Sequence, residues 1–136
     1  MFKRESMMAN SIHQEVTFKA KVSDVYQAYM ESRKHAAFTK NGAAKISKKI
    51  GGAFSAHGGH ITGINLDLVE NKLIVQAWRA KTWPKGIYSI VSFKFSKAGS
   101  GTKLVLDHTG IPDGQSEHLA GGWQKMYWDR MTEYFG

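Results

Sequence analysis

The chain has no cysteine among its 136 residues and only two prolines. Without thiols there is no disulfide framework, thiolate zinc site or cysteine nucleophile, and a reducing, cytoplasmic setting is the expectation. Long apolar runs are also missing: no stretch approaches the roughly eighteen residues a spanning helix needs. The opening MFKRESMMANS, with Glu5 soon after two basic residues, does not read as a signal peptide. No hydrolase elbow, Gly-rich phosphate loop with its Lys, or dinucleotide fingerprint is present, so no cofactor is expected. Acidic residues are few, 11 against 19 basic ones, for a net charge of +8. Residues 1–50 carry 10 Lys and Arg against 4 acids. Such a surface favours solubility and steers anionic partners.

What is present reads as one domain over residues 1–136, with residues 1–10 a frayed end. From Ile12 to Ala20 apolar and polar residues alternate, as in a strand with one face on the core. KVSDVYQAYMES follows as a helix capped by Ser23, and a short second helix covers Arg33 to Phe38 before Asn41 and Gly42 stop it. From Ala44 to Gly110 the chain has period two. Strands are expected at Ile61–Val69, Leu73–Arg79, Ile87–Phe95 and Thr102–Thr109, joined by turns at Glu70–Asn71, Trp83–Gly86 and Ala98–Gly101. A last helix runs from Ser116 to about Tyr134. Its α-helical stripe holds Leu119, Trp123, Met126, Arg130 and Tyr134, flanked by Ala120, Tyr127 and Met131. Gly121 and Gly122 inside it suggest either close approach to a sheet or an irregular turn. An antiparallel meander lying on a long amphipathic helix is an α+β layer.

This order, with GGAFSAHGG at 51–59, IVQAWR at 74–79, WPKG at 83–86, GTKLVLDHTGIP at 101–112 and GWQKMYWDRMTEYFG at 122–136, resembles the START-like (SRPBCC) superfamily. Within it the chain is most similar to the C-terminal domain of activators of the Hsp90 ATPase. The resemblance covers almost the whole chain. It implies a helix-grip fold, in which a curved antiparallel sheet wraps a long C-terminal helix, with two short helices after the first strand. By the same resemblance the partner is an Hsp90-type chaperone, touched at its ATP-binding ends, or a small apolar ligand as elsewhere in the superfamily.

The residues themselves nominate few chemistries. HGGH at 57–60 invites a metal, but a third local ligand is missing and only His108 or His118 is left to approach in space; the glycines more simply mark a tight reversal, and no metal site is assigned. Asp107 and His108 are adjacent on a strand and point to opposite faces, so they make no dyad. Nucleic-acid binding is disfavoured, because Lys45, Lys48 and Lys49 have one aromatic neighbour, Phe54. A cavity between sheet and helix would be lined by Trp78, Ile90, Leu104, Leu106, Trp123, Met126 and Tyr127, with His108 or Tyr88 as polar anchors. A partner surface would use Lys45, Lys48, Lys49, Trp83 and Lys85, with Trp83 either packed over the sheet edge or exposed as an anchor. The expectation is a non-enzymatic binding module for an apolar ligand or a partner protein. The competing reading is a small cavity enzyme of the cyclase or hydratase kind, for which His108, Tyr88 and Asp107 are the nominees, Asp107 facing away from the other two.

Overall fold

The computed structural model describes residues 10–136. Residues 1–9, most of the stretch read as frayed, lie outside the described residues. Asn10 is tied down: its side-chain amide donates to the Ile111 carbonyl at 2.8 Å and to Asp113 Oδ1, while its own carbonyl accepts from Ile111 N–H.

Strand β1 (Ile12–Phe18) leads into helices α1 (Val22–Met30) and α2 (Ser32–Thr39). Strands β2 (Lys45–Ile46), β3 (Ala53–Ala56), β4 (Ile61–Val69), β5 (Leu73–Ala80), β6 (Ser89–Ala98) and β7 (Gly101–Thr109) follow. They form one seven-stranded antiparallel sheet in the order β1-β7-β6-β5-β4-β3-β2. The meander therefore runs straight across the sheet, and β1 returns beside the last strand. No helix among the described residues is long and apolar enough to cross a membrane.

Ser23 is not the cap of α1. The helix begins at Val22, and the extended Lys21 supplies the capping carbonyl, which accepts from Asp24 and Val25 N–H at 3.0 and 3.1 Å. Helix α2 extends one residue beyond each expected end, and Lys40 in the left-handed region stops it, just before Asn41.

Alternation sets the inner face of the sheet: Ile74, Gln76, Trp78 and Ala80 of β5 are buried, as are Val91, Phe93 and Phe95 of β6 and Leu104, Leu106 and His108 of β7. Period two is broken once. A bulge between Asn65 and Asp67 leaves Leu66 unpaired and shifts the phase, so Ile61, Gly63 and Asn65 face inward before it, and after it Asp67 faces outward and Leu68 inward. One row across the inner face reads Ile12, His108, Val91, Gln76, Asn65. Three of its five members are polar and fully buried.

The last helix is three segments in continuity: α3 (Ser116–Gly122), a π-helical stretch (Trp123–Trp128) and α4 (Asp129–Phe135). This corrects the α-helical stripe. The i→i+5 ladder of a π-helix brings residues five apart over one another, so Trp123 and Trp128 stack with ring centroids 5.8 Å apart and planes 18° apart. Trp123, Tyr127, Trp128 and Met131 are buried, whereas Tyr134 is exposed and Met126 half-buried. Gly121 and Gly122 do not approach the sheet; a Cβ on either meets nothing within 4 Å.

Two glycines should therefore respond in opposite directions to alanine. At Gly63 a methyl would run into the Ala77 carbonyl and the Phe54 ring, so Gly63→Ala should destabilise by about 2–3 kcal/mol. Gly121→Ala should stabilise by about 0.5–1 kcal/mol through helix propensity. Urea denaturation of both variants checks the pair, and a neutral Gly63→Ala would contradict the packing described.

Candidate functional site

Between the start of the last helix and the ends of β4 and β5 the core stops short, leaving a cleft of about 290 Å3. Its apolar side is Ile61, Trp78, Leu119, Trp123 and Met126; its polar side is Asn41, His57, His60, Thr82, Gln115 and His118, with Tyr127 between. The Trp78 and Trp123 rings meet at 5.9 Å and 37°, forming an aromatic corner.

Of the nominated lining, Trp78, Trp123, Met126 and Tyr127 reach this cleft. Leu104, Leu106 and His108 face inward but are sealed in the core. Tyr88 and Ile90 are 46% and 39% exposed and lie outside it, because the inward positions of β6 are Ser89, Val91, Phe93 and Phe95. Tyr88 thus shares no face with His108. Asp107 points outward, where its Oδ1 is 2.6 Å from His13 Nδ1. The three enzyme nominees are not assembled.

The HGGH segment is a reversal between β3 and β4, as its glycines suggested, and it also aims a ligand-side group. His57, Gly58 and Gly59 all have positive φ, at 54°, 65° and 96°. For His57 that conformation costs about 1–2 kcal/mol, and it delivers the ring to Tyr127. Gly58 N–H donates to the Ala43 carbonyl at 3.0 Å, locking this turn to the one after α2.

Hydrogen positions in the resulting chain follow from its buried end. His35 Nδ1 is 2.8 Å from the Tyr29 carbonyl, which only accepts, so the proton sits on Nδ1 and Nε2 is an acceptor. Tyr127 therefore donates its hydroxyl to His35 Nε2 at 2.8 Å. His57 Nε2–H then donates to the Tyr127 oxygen at 2.9 Å, and His57 Nδ1 accepts from the Asn41 amide at 3.1 Å. Burial holds His35 neutral, pushing its pKa down to about 4. Burial first, then nearby His60, lowers His57. Burial raises the Tyr127 hydroxyl.

A second chain ties the helix to the sheet. Trp123 Nε1–H donates to His108 Nδ1 at 3.0 Å, His108 Nε2–H donates to Ser89 Oγ at 2.7 Å, and Ser89 donates to the Trp78 carbonyl. Burial pushes His108 down to about 3. A third chain runs from the Tyr29 hydroxyl to Gln76 and on to Asn65, whose amide holds the Ser47 and Lys49 carbonyls. Among the described residues no group of three or more His, Asp or Glu is placed to hold a metal.

The residues nominated as a partner surface divide. Lys45, Lys48 and Lys49 are exposed on β2 and the β2–β3 turn. Lys85 is exposed on the β5–β6 turn, at the opposite ends of the strands. Trp83 is buried, edge-on to Trp78 at 5.6 Å, with Arg79 donating to its carbonyl at 2.7 Å. It is core, not an exposed anchor. The reading from sequence gave no site role to Thr82, Gln115 or His35, and took Asn41 only as a helix stop. HGGH was the available signal for His57 and His60, and it was weighed only as a metal site or a turn.

Residues 19–136 match the family model described as Activator of Hsp90 ATPase homolog 1-like protein. The chain belongs to this family. An uncharacterized protein of Schizosaccharomyces pombe is 33% identical over 135 residues, which is 98% of this chain and 40% of that protein. The human Activator of 90 kDa heat shock protein ATPase homolog 1 is 31% identical over 120 residues, 88% of this chain and 35% of its own length. The chain thus spans well under half of these curated relatives. The crystal structure of an HSP90 activator from Plasmodium falciparum has a TM-score of 0.85 at 24% identity, covering 90% of this chain and 93% of that one. That likeness shows the fold, the START-like helix-grip arrangement expected from the sequence.

The two buried histidines make acid stability a test of this interior. The unfolded chain takes up protons with a midpoint near 6.5, whereas folded His35 and His108 wait until about 4 and 3. The unfolded state thus binds more protons below pH 6.5, and stability is complete above that pH. Between pH 6.5 and 5, above the carboxylate range, it should fall by about 1.4 kcal/mol per pH unit for each group. His13, raised by its bonds to Asp107 and then Glu15, is exposed and opposes this weakly. Urea midpoints at pH 7.5 and 5.5 measure the effect, and equal stabilities at the two would contradict neutral, sealed histidines.

Proposed function

We propose that this chain is a non-enzymatic binding module of the Hsp90-ATPase-activator-like family, taking a small, largely apolar ligand in the cleft beneath the last helix. One observation carries the reading. A wall of Trp78, Trp123, Met126 and Leu119 faces Asn41 and the three cleft histidines, whereas the hollow beside Tyr26 is lined in part by Lys48 and Glu70 and the one beside Phe18 in part by Lys19. An apolar wall with a few convergent polar groups is the usual form of a small-molecule site. The volume, about 290 Å3, is at the lower end of the range of about 300–1,000 Å3 usual for ligand pockets, so the ligand is small. A cytoplasmic location accompanies this reading.

A Gly122→Leu variant tests it. Gly122 lines the cleft and its Cβ position is open, so the leucine fills the site without disturbing the core. Native mass spectrometry of the purified protein should show a retained small molecule that is released on denaturation, and Gly122→Leu should lose it. Retention of the same molecule by a folded Gly122→Leu would place the ligand elsewhere.

A second reading, contact with an Hsp90-type chaperone, is supported by the names of the relatives, including the human homologue at 31% identity. The exposed Lys45, Lys48 and Lys49, on a chain of net charge +8, suit an acidic partner surface. Binding to the chaperone, followed by calorimetry, should then weaken about tenfold or more when salt is raised from low to physiological strength, and on charge reversal of the three lysines. Affinity unchanged by both would remove this surface from the contact.

A further inference from the structure

The cleft presents a one-sided set of polar groups. None of its lining residues is Asp, Glu, Lys or Arg, although the chain has 30 such residues, 19 basic and 11 acidic. Three of the chain's six histidines line it instead.

These histidines differ in what they have left to offer. His57 is committed at both nitrogens, accepting from Asn41 and donating to Tyr127. Tyr127 is committed too, accepting from His57 and donating to His35. This chain closes on itself and asks nothing of a ligand. His60 and His118, both exposed at the rim, make no side-chain hydrogen bond or ion pair among the described residues, and neither do the side chains of Gln115 and Thr82. All four carry both a donor and an acceptor.

Ligands of either charge compete for the cleft. The indoles of Trp78 and Trp123 would attract a cation over their faces, an effect of about 0.5–2 kcal/mol. A cation, however, would enter a cleft with no carboxylate to pair it, past a rim of imidazoles, on a chain of net charge +8. An acid group accepts from these donors, meets no like charge in the lining, and is favoured by the chain's net charge of +8. Hydrogen bonds to a charged acceptor contribute about 1.5–3 kcal/mol each. The rim therefore outweighs the faces.

We infer that the cleft takes a flat organic anion, a small aromatic carboxylate or sulfonate, its body in the Trp78–Trp123 corner against Met126 and its acid group held by His60 and His118. This rests on the cleft being a ligand site. Trp78 and Trp123 pack against each other and are 5% and 3% exposed, so they present a narrow aromatic strip to the cleft, which a planar ring matches better than a branched chain.

Calorimetric titration of the full chain with three probes of equal shape separates the two claims: 2-naphthoate, 2-naphthamide and 2-naphthylmethylammonium. The naphthoate should bind at least about tenfold tighter than the amide, the size of one charge-assisted hydrogen bond, and the cation weakest. In His60→Ala/His118→Ala, two exposed positions that leave the core untouched, that preference should fall below about threefold while amide affinity holds. Equal binding of naphthoate and amide, or tightest binding of the cation, would overturn the anion while leaving the cleft a ligand site, provided that Gly122→Leu abolishes it. A naphthoate preference that survives the double variant would remove His60 and His118 from the site. Failure of all three probes at millimolar concentration would overturn the aromatic ligand class and count against the cleft reading itself.

Discussion

The bond from the Trp123 indole to His108 holds the helix to the sheet, and most of the interior is arranged around it. The sheet row that contains His108 puts a polar ring where an apolar one would pack with no partner, and burial keeps that ring neutral. A neutral imidazole has one donor and one acceptor. Trp123 fills the acceptor and Ser89 takes the donor, so each group is satisfied only when helix and sheet are in one register. A register shift would leave an indole N–H and an imidazole nitrogen buried and unpaired, at about 1–3 kcal/mol each. The π-helical stretch serves the same end. It rotates Trp128 under Trp123, where its own indole donates to Gln14 of β1, so a single turn of helix reaches both β7 and the edge strand beside it.

Much of the fold was legible in the sequence because alternation and turn chemistry are local signals. Ile61–Val69 was placed to the residue, and β5 and β7 to within one residue at an end. What was not legible has non-local causes. The bulge at Leu66 needs the partner strand to define it. The π segment cannot be seen on an α-helical wheel, which is why Met126 and Tyr134 were placed inward and Trp128 was not. Tyr88 and Ile90 were misplaced for a related reason. Ile87, Tyr88 and Ile90 are exposed apolar residues, and nothing in their own stretch separates an outward isoleucine from an inward one.

The cleft was half legible. Its aromatic wall belongs to the helix and to β5, whose patterns are strong. Its polar side comes from four turns far apart in sequence, the one after α2, the β3–β4 reversal, the β5–β6 turn and the loop before α3, together with His118 at the start of α3. His57 joins them because it sits at a positive φ between Asn41 and Tyr127. A histidine beside two glycines is ordinarily a turn residue, and here it is that as well; its role in the polar chain comes from where the turn lands.

The same directional chain bears on catalysis. A general acid or base needs a group able to give or take a proton in contact with the reacting atoms. Tyr127 borders the cleft, but its proton is held by His35 Nε2, whose other nitrogen is pinned to a backbone carbonyl. His57 has its proton on Tyr127 and its lone pair on Asn41. Releasing either group for chemistry would break a bond whose remaining partner is enclosed, at about 1–3 kcal/mol, and would put a charge where burial already opposes it. A closed chain of this kind fixes the shape and polarity of one wall, and under the proposed binding reading it leaves recognition to the uncommitted groups at the rim.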